Sequence, residues 1–285
     1  MAHRFFACIL ALGIEMLPCM GQQPEKSDTV PTAVQWTLDA AGPTQRAAIR
    51  SVVLLYCPKT NAKGTGFLLS DGLIVTNNHV VEGCTAGEMR ANPFGAQEFG
   101  FSRMATDKDV DLALLNPSKH LGGGLELGPD QDSPLGTSVN TWGFPLTYNG
   151  PAPLLSVGYV SGYVKDGDSG KEVKHIVVNG AFNPGNSGGP LFRANSSKVI
   201  GVVVAKFHLY PPMVAQIIQT MVAQNYGVMT FEGTDEHGNK KPLSEAQVTG
   251  MVLDQSYKTT QVMIGEAISV SELRSFLKKK KAEVQ

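Results

Sequence analysis

From Ala47 onward the chain is a succession of short apolar runs cut by turn residues, and this spacing excludes most architectures. Ser51–Cys57, Thr65–Ser70, Leu73–Thr76, Val139–Gly143, Ser156–Ser161, His175–Val178 and Lys198–Ala205 are each four to eight residues long. Runs of that length bounded by Gly and Pro predict strands, and many of them in series predict a β-sandwich or barrel. The 31 glycines and 17 prolines suit a turn-rich β protein better than a helical bundle. With 285 residues, 42% of them hydrophobic, the chain can fill one or two cores. A formal charge of −1 gives no electrostatic argument for nucleic acid or an anionic membrane as partner. No phosphate-cradling loop and no metal-spaced His/Cys cluster is present, so neither a cofactor nor a metal is expected.

The ends and one interruption depart from the strand pattern. Residues 1–21 read as a secretory signal, with Arg4 ahead of an apolar stretch from Phe5 to Ile14 that is too short to span a bilayer. This predicts a secreted or periplasmic protein without stable membrane insertion. A lipid anchor at Cys19 is a poorer match, because Met16-Leu17-Pro18 precedes it. Residues 22–46 are polar enough to predict a flexible lead-in. Near the other end, Ser269-Val270-Ser271-Glu272 has the form of a capping box. It opens a short helix with Leu273, Phe276 and Leu277 on one face, ending in Lys278–Lys281, a run expected as a solvated tail. Between Ala205 and Ile264 about 55 residues intervene. Met213–Tyr226 predicts an amphipathic helix through Val214, Ile217, Ile218, Met221 and Val222. Glu232–Lys241 is polar, with Gly233 and Gly238 as turn signals. The segment 207–261 reads either as a surface decoration or as a flap beside a binding site.

Chemistry concentrates in three places. Asn183-Pro184-Gly185-Asn186-Ser187-Gly188-Gly189-Pro190 sets a serine on a glycine-flanked turn, where backbone N–H groups can converge on one point. An ordinary hairpin turn would look the same in isolation. Upstream, Leu73–Thr76 leads into Asn77-Asn78-His79-Val80-Val81, which predicts a strand followed by a helical turn carrying His79. Histidine is the side chain suited to take a serine proton near neutral pH. Asp111 opens the apolar run Leu112-Ala113-Leu114-Leu115 and so can be drawn under the surface beside an imidazole. Asp107 and Asp109 are rivals, more readily explained as a solvated acidic loop.

The order His79, Asp111, Ser187 is the chymotrypsin-type order. With Gly64-Thr65-Gly66, Thr76–Val81, Asp111–Leu114 and Asn183–Leu191, the chain resembles trypsin-like peptidases of the HtrA or Deg type. Weaker echoes are Gly143-Phe144-Pro145, Ser156–Ser161 and Ile264–Ile268. The resemblance implies an all-β fold of two six-stranded chymotrypsin-like barrels, the first over residues 47–124 and the second over 125–285, with the insertion 207–261 and the C-terminal helix. It implies a catalytic triad of His79, Asp111 and Ser187, and an oxyanion hole on the Gly185–Asn186–Ser187 backbone with the Gly185 and Ser187 N–H groups as donors. Ala181 and Phe182, with Val203, Val204 and Ala205 on the other wall, would form the substrate pocket. No acid stands at Ala181, so the expected substrates are polypeptides, unfolded proteins among them, cut after small aliphatic residues. Val204 stands where relatives carry a hydroxyl that supports the acid. A PDZ module does not fit in the residues after Ile268. Relatives trimerise, although residues 22–50 show no clear match to that element. Cys57 and Cys84 bracket the His79 segment; in a secreted chain they read as a disulfide, and otherwise as two reduced buried thiols. Two other classes compete: a degenerate peptidase fold that binds unfolded peptides as a chaperone or scaffold, and an esterase, although no helix pattern follows Gly185–Gly189 as an esterase elbow requires.

Overall fold

The computed structural model describes residues 33–146, 148, 150–166, 171–205, 212–223, 230–234, 240–259 and 264–285. The expected signal, residues 1–21, lies outside the described residues. Six antiparallel strands, β1 (Val52–Cys57), β2 (Ala62–Leu68), β3 (Ile74–Thr76), β4 (Arg90–Pro93), β5 (Phe99–Asp107) and β6 (Leu112–Pro117), close a barrel in the order β1-β2-β3-β6-β5-β4. A second barrel closes as β10-β11-β14-β9-β8-β7. Its strands are β7 (Ser138–Gly143), β8 (Leu154–Asp166), β9 (Val173–Asn179), β10 (Pro190–Arg193), β11 (Val199–Val204) and β14 (Gly265–Ser269). This is the chymotrypsin-like double barrel that the resemblance implied. The connector between β6 and β7 leaves the first barrel through Leu125, which bridges Leu69, and enters the second through Leu127, which bridges Val199.

Two strands explain why their sequences read as unbroken apolar runs rather than as an alternation. On β6, Ala113 and Leu115 point into the first barrel, with Leu55, Ile74, Met89 and Phe101. Leu112 and Leu114 point the other way, into a cluster shared by both barrels. On β11, Val203 faces the interior of the second barrel while Val202 and Val204 join that same shared cluster. A strand covered on both faces has no position left for a polar residue. The outer cover is completed by α6 (Val270–Val284), whose Leu273, Phe276 and Val284 are buried in the shared cluster. Each such burial contributes about 2 kcal/mol.

Several expectations need correcting at the edges. Ser269 sits at the N-cap of α6 without a side-chain cap bond, and its Oγ pairs with Ser271 Oγ at 2.7 Å. Glu272 is drawn away to accept from the Lys174 N–H at 3.3 Å, so the capping box does not form. The lysine run keeps Lys278 and Lys279 exposed, but it is not a free tail. It lies within α6, and Lys279 pairs with Asp107 and Lys281 with Asp71, on the first barrel. Residues 33–40 and 43–51, expected as the end of a flexible lead-in and the approach to the first strand, form α1 (Ala33–Ala40) and α2 (Pro43–Ser51). Ala48 and Ile49 of α2 are buried. The insertion holds more structure than one helix: α4 (Pro212–Ala223), a hairpin of β12 (Thr230–Thr234) and β13 (Lys240–Ser244), and α5 (Glu245–Thr259). The helices α4 and α5 cross where Gly250 meets Val222 and Met221.

Cys57, at the end of β1, is bonded to Cys84, 27 residues on. Between them lies α3 (Asn78–Val81), the helical turn that carries His79. Closing that loop restricts the unfolded chain by about 3.5 kcal/mol in the chain-entropy treatment. Denaturant unfolding with and without reductant, or of the Cys57→Ala/Cys84→Ala variant, is expected to show a loss near that size. A loss below about 1 kcal/mol would mean the bond constrains little.

Candidate active site

The histidine and the aspartate meet at the mouth of the first barrel. His79 rides on α3, held over the end of β2 because Gly64 has no side chain: a Cβ there would come within 2.6 Å of Val80. His79 Nδ1 lies 2.7 Å from Asp111 Oδ2, and the His79 backbone N–H donates to Asp111 Oδ1 at 2.9 Å. The carboxylate therefore holds both the ring and the backbone that bears it. With Nδ1–H as the donor, Nε2 is left as the acceptor. Asp111 has a φ of 55°, in the left-handed region. For a residue with a side chain this costs about 1 kcal/mol. The conformation is secured by the buried Asn77, whose Nδ2 donates to the Asp111 carbonyl at 3.0 Å. Val204, which offers the acid no hydrogen bond, is buried in the cluster between the barrels. The rival Asp107 is buried rather than solvated, and is paired with Lys279. Asp109 is exposed.

Ser187 lies across the cleft, on the turn that leads into β10. Its backbone is stitched to the first barrel: the Thr65 N–H donates to the Ser187 carbonyl at 2.8 Å. Its Oγ accepts from the Ala205 N–H at 3.0 Å, and among the described residues it makes no hydrogen bond to His79. The three residues expected as a triad thus stand as a His79–Asp111 pair and, apart from it, a serine hydroxyl held by the N–H that follows β11.

Of the three backbone groups assigned to the oxyanion hole, one is excluded. The Asn186 N–H donates to the Asn183 carbonyl at 2.9 Å, closing a turn, so it cannot serve a ligand. The Gly185 and Ser187 N–H groups have no partner among the described residues. The Asn186 side chain is fully buried, with both Oδ1 and Nδ2 unpartnered. Gly185 has a φ of 97°, and a Cβ there would come within 2.3 Å of the Phe144 carbonyl. Only glycine fits.

The pocket residues separate. Ala181 and Ala205 are half-buried at the surface of the cleft. Phe182 and Val203 instead point into the second barrel and pack with Ile176, Val178 and Ala267. The Phe182 ring lies directly on Gly265: a Cβ at that glycine would come within 2.4 Å of Cδ2. Val204 faces away from Val203, as neighbours on a strand must, so these two valines do not share a wall. Sequence reasoning missed Thr65, Asn77 and the Ala205 N–H. Thr65 carried a faint signal as a buried hydroxyl residue between two glycines.

Comparison with known proteins follows the same lines. The trypsin-like peptidase domain family matches residues 64–202. A protein of Marinomonas sp. named as a DegP-like periplasmic serine endoprotease is 33% identical over 140 residues, 49% of this chain and 29% of that protein. An Arabidopsis thaliana protein named as the mitochondrial Do-like protease 3 is 29% identical over 237 residues, 78% of this chain and 40% of that one. The chain spans well under half the length of these curated relatives. A solved HtrA-type protease, AlgW with a tripeptide, superposes with a TM-score of 0.50 at 23% identity, over 68% of this chain and 69% of that one, and shares the fold. Residues 64–202 thus match the trypsin-like peptidase domain family, and the chain is similar over about half its length to proteins named as DegP-like serine endoproteases.

Proposed function

We propose that the chain is a serine endopeptidase in which Ser187 Oγ attacks a peptide carbonyl. His79 Nε2 takes the hydroxyl proton and returns it to the leaving amine. Asp111 holds the imidazole, and the Gly185 and Ser187 N–H groups receive the developing oxyanion. The observation that carries this reading is the His79–Asp111 pair, bound through both carboxylate oxygens, together with a serine whose own N–H and that of Gly185 have no partner among the described residues. To react, Ser187 Oγ must leave the Ala205 N–H, a side-chain rotation. Catalytic hydrogen bonds are commonly looser without substrate. A disulfide, the expected signal and a relative named as periplasmic support a secreted or periplasmic site of action. No helix among the described residues is long and apolar enough to cross a membrane.

The parked hydroxyl favours a second reading, a peptidase fold that holds extended or unfolded peptides without cutting them. A fluorophosphonate probe separates the two. Labelling that maps to Ser187 and disappears in Ser187→Ala is expected for the peptidase. Absence of labelling, with and without an unfolded protein present, would leave the binder.

The pocket points to small aliphatic residues before the cut. Ala181 carries no charge, and no acidic residue lies between Glu172 and Ser187 in the sequence to favour a basic side chain. In a peptide library the native chain is expected to prefer Val, Ala or Ile. An Arg or Lys preference in the native chain would refute this.

A further inference from the structure

We infer that Thr65 is a positioning residue for the oxyanion hole, acting as a latch between the two barrels; the inference rests on the peptidase reading above. Thr65 is fully buried in β2, and every polar atom it has is committed. Its carbonyl accepts from Thr76 Oγ1 at 2.7 Å, which anchors it within the first barrel. Its N–H holds the Ser187 carbonyl at 2.8 Å. Its Oγ1 donates to the Gly185 carbonyl at 2.6 Å and accepts from the Phe144 N–H at 3.0 Å.

These contacts fix the orientation of peptide planes, not merely the distance between segments. The Gly185 carbonyl and the Asn186 N–H belong to one peptide plane. Thr65 holds the first, and the Asn183 carbonyl holds the second. The preceding plane is fixed by the Leu146 N–H, which donates to the Pro184 carbonyl at 2.8 Å. With both carbonyls pinned, the Gly185 N–H has no hydrogen-bond partner among the described residues. Leu146 belongs to the same short segment as Phe144, which Thr65 also grips. One hydroxyl therefore ties together the two strips of the second barrel whose mutual fit sets the Gly185 N–H direction. Without it, the Gly185 carbonyl and the Phe144 N–H are buried and unpaired. Rotation of the 185–186 plane toward any other donor then becomes favourable.

The test compares Thr65→Val, which keeps the volume and removes the hydroxyl, with Thr65→Ser, which keeps the hydroxyl. The readouts are the rate of fluorophosphonate labelling at Ser187, and kcat and KM for a fluorogenic peptide with valine before the cut. Losing one oxyanion donor outright costs about 10²- to 10³-fold in kcat, so a donor left present but misdirected should cost about 10- to 100-fold. Thr65→Val is expected to lose that much in labelling rate and kcat, with KM within about twofold, because the interaction is made only in the transition state. Thr65→Ser is expected to stay within about threefold of the native chain in each. Thermal melts establish that each variant is folded. If Thr65→Val does not fold, Thr65→Cys carries the same prediction at smaller amplitude, since a thiol is a weak donor. A folded Thr65→Val or Thr65→Cys with native labelling and kcat overturns the latch and leaves the peptidase reading intact, as does a Thr65→Ser as impaired as Thr65→Val. A native chain that labels no better than Ser187→Ala overturns both together.

Discussion

Ser187→Ala and His79→Ala are each expected to lower kcat by about 10⁵- to 10⁶-fold, and the double variant to be no slower than either alone. The non-additivity follows from the chemistry. A serine without a base is a poor nucleophile, and a base without the serine has nothing to deprotonate, so the second deletion removes a function already lost. What survives is about 10³- to 10⁴-fold over water, contributed by the oxyanion hole and substrate binding. The structure makes this a sharp test, because Ser187 Oγ rests on the Ala205 N–H and not on His79. If that resting contact were the hydroxyl's only role, Ser187→Ala would merely leave one backbone N–H unpaired, and His79→Ala would leave turnover unchanged. Turnover of a fluorogenic peptide by the two single variants and the double therefore reads out whether the hydroxyl crosses from Ala205 to His79 during the reaction. Losses that multiply would mean the two residues act independently and would contradict a joined triad.

What the sequence exposes and what it conceals divide along the range of the interactions. The strand runs around Leu55, Val75 and Val203 are local patterns, and the double barrel was legible from them together with the motifs around His79, Asp111 and Ser187. The apolar stretch Leu112–Leu115 was legible only as a buried run behind Asp111; that it is a strand covered on both faces shows in the two clusters on either side of β6. Concealed were contacts made across long stretches of chain. Ser269 and Glu272 have the spacing of a capping box, yet Glu272 is taken by the Lys174 N–H, 98 residues away. The four lysines look like a solvated tail, yet Lys279 reaches Asp107 at 3.3 Å. Phe182 and Val203 occupy pocket positions in order along the chain, but their side chains are spent on the interior of the second barrel. Thr65 belongs to the same class, since its hydroxyl bonds Gly185, 120 residues on. β5 escaped notice because its outer face is polar and its alternation is broken by a register shift between Phe101 and Arg103.

Asp111→Asn carries the second large effect, about 10⁴-fold in kcat, and it should come with almost no loss of fold. Asparagine tolerates the left-handed region nearly as well as aspartate, so the φ of 55° remains accessible. The Asn77 amide holds the backbone carbonyl of residue 111, which the substitution does not touch. The side chain is where the change acts. Asp111 accepts two hydrogen bonds from one residue, Oδ1 from the His79 backbone N–H and Oδ2 from the ring at 2.7 Å. An asparagine has one oxygen and one NH₂, so it can accept from only one of these donors. If the oxygen stays on the backbone N–H, which has no alternative state, the NH₂ faces Nδ1. The ring must then take the other tautomer, with Nδ1 as acceptor and the proton on Nε2. A protonated Nε2 cannot receive the proton of Ser187. The expected result is an unchanged melting profile, a kcat lowered about 10⁴-fold and a KM near the native value. A variant retaining more than about a tenth of native kcat would show that the His79 tautomer is set by something other than Asp111.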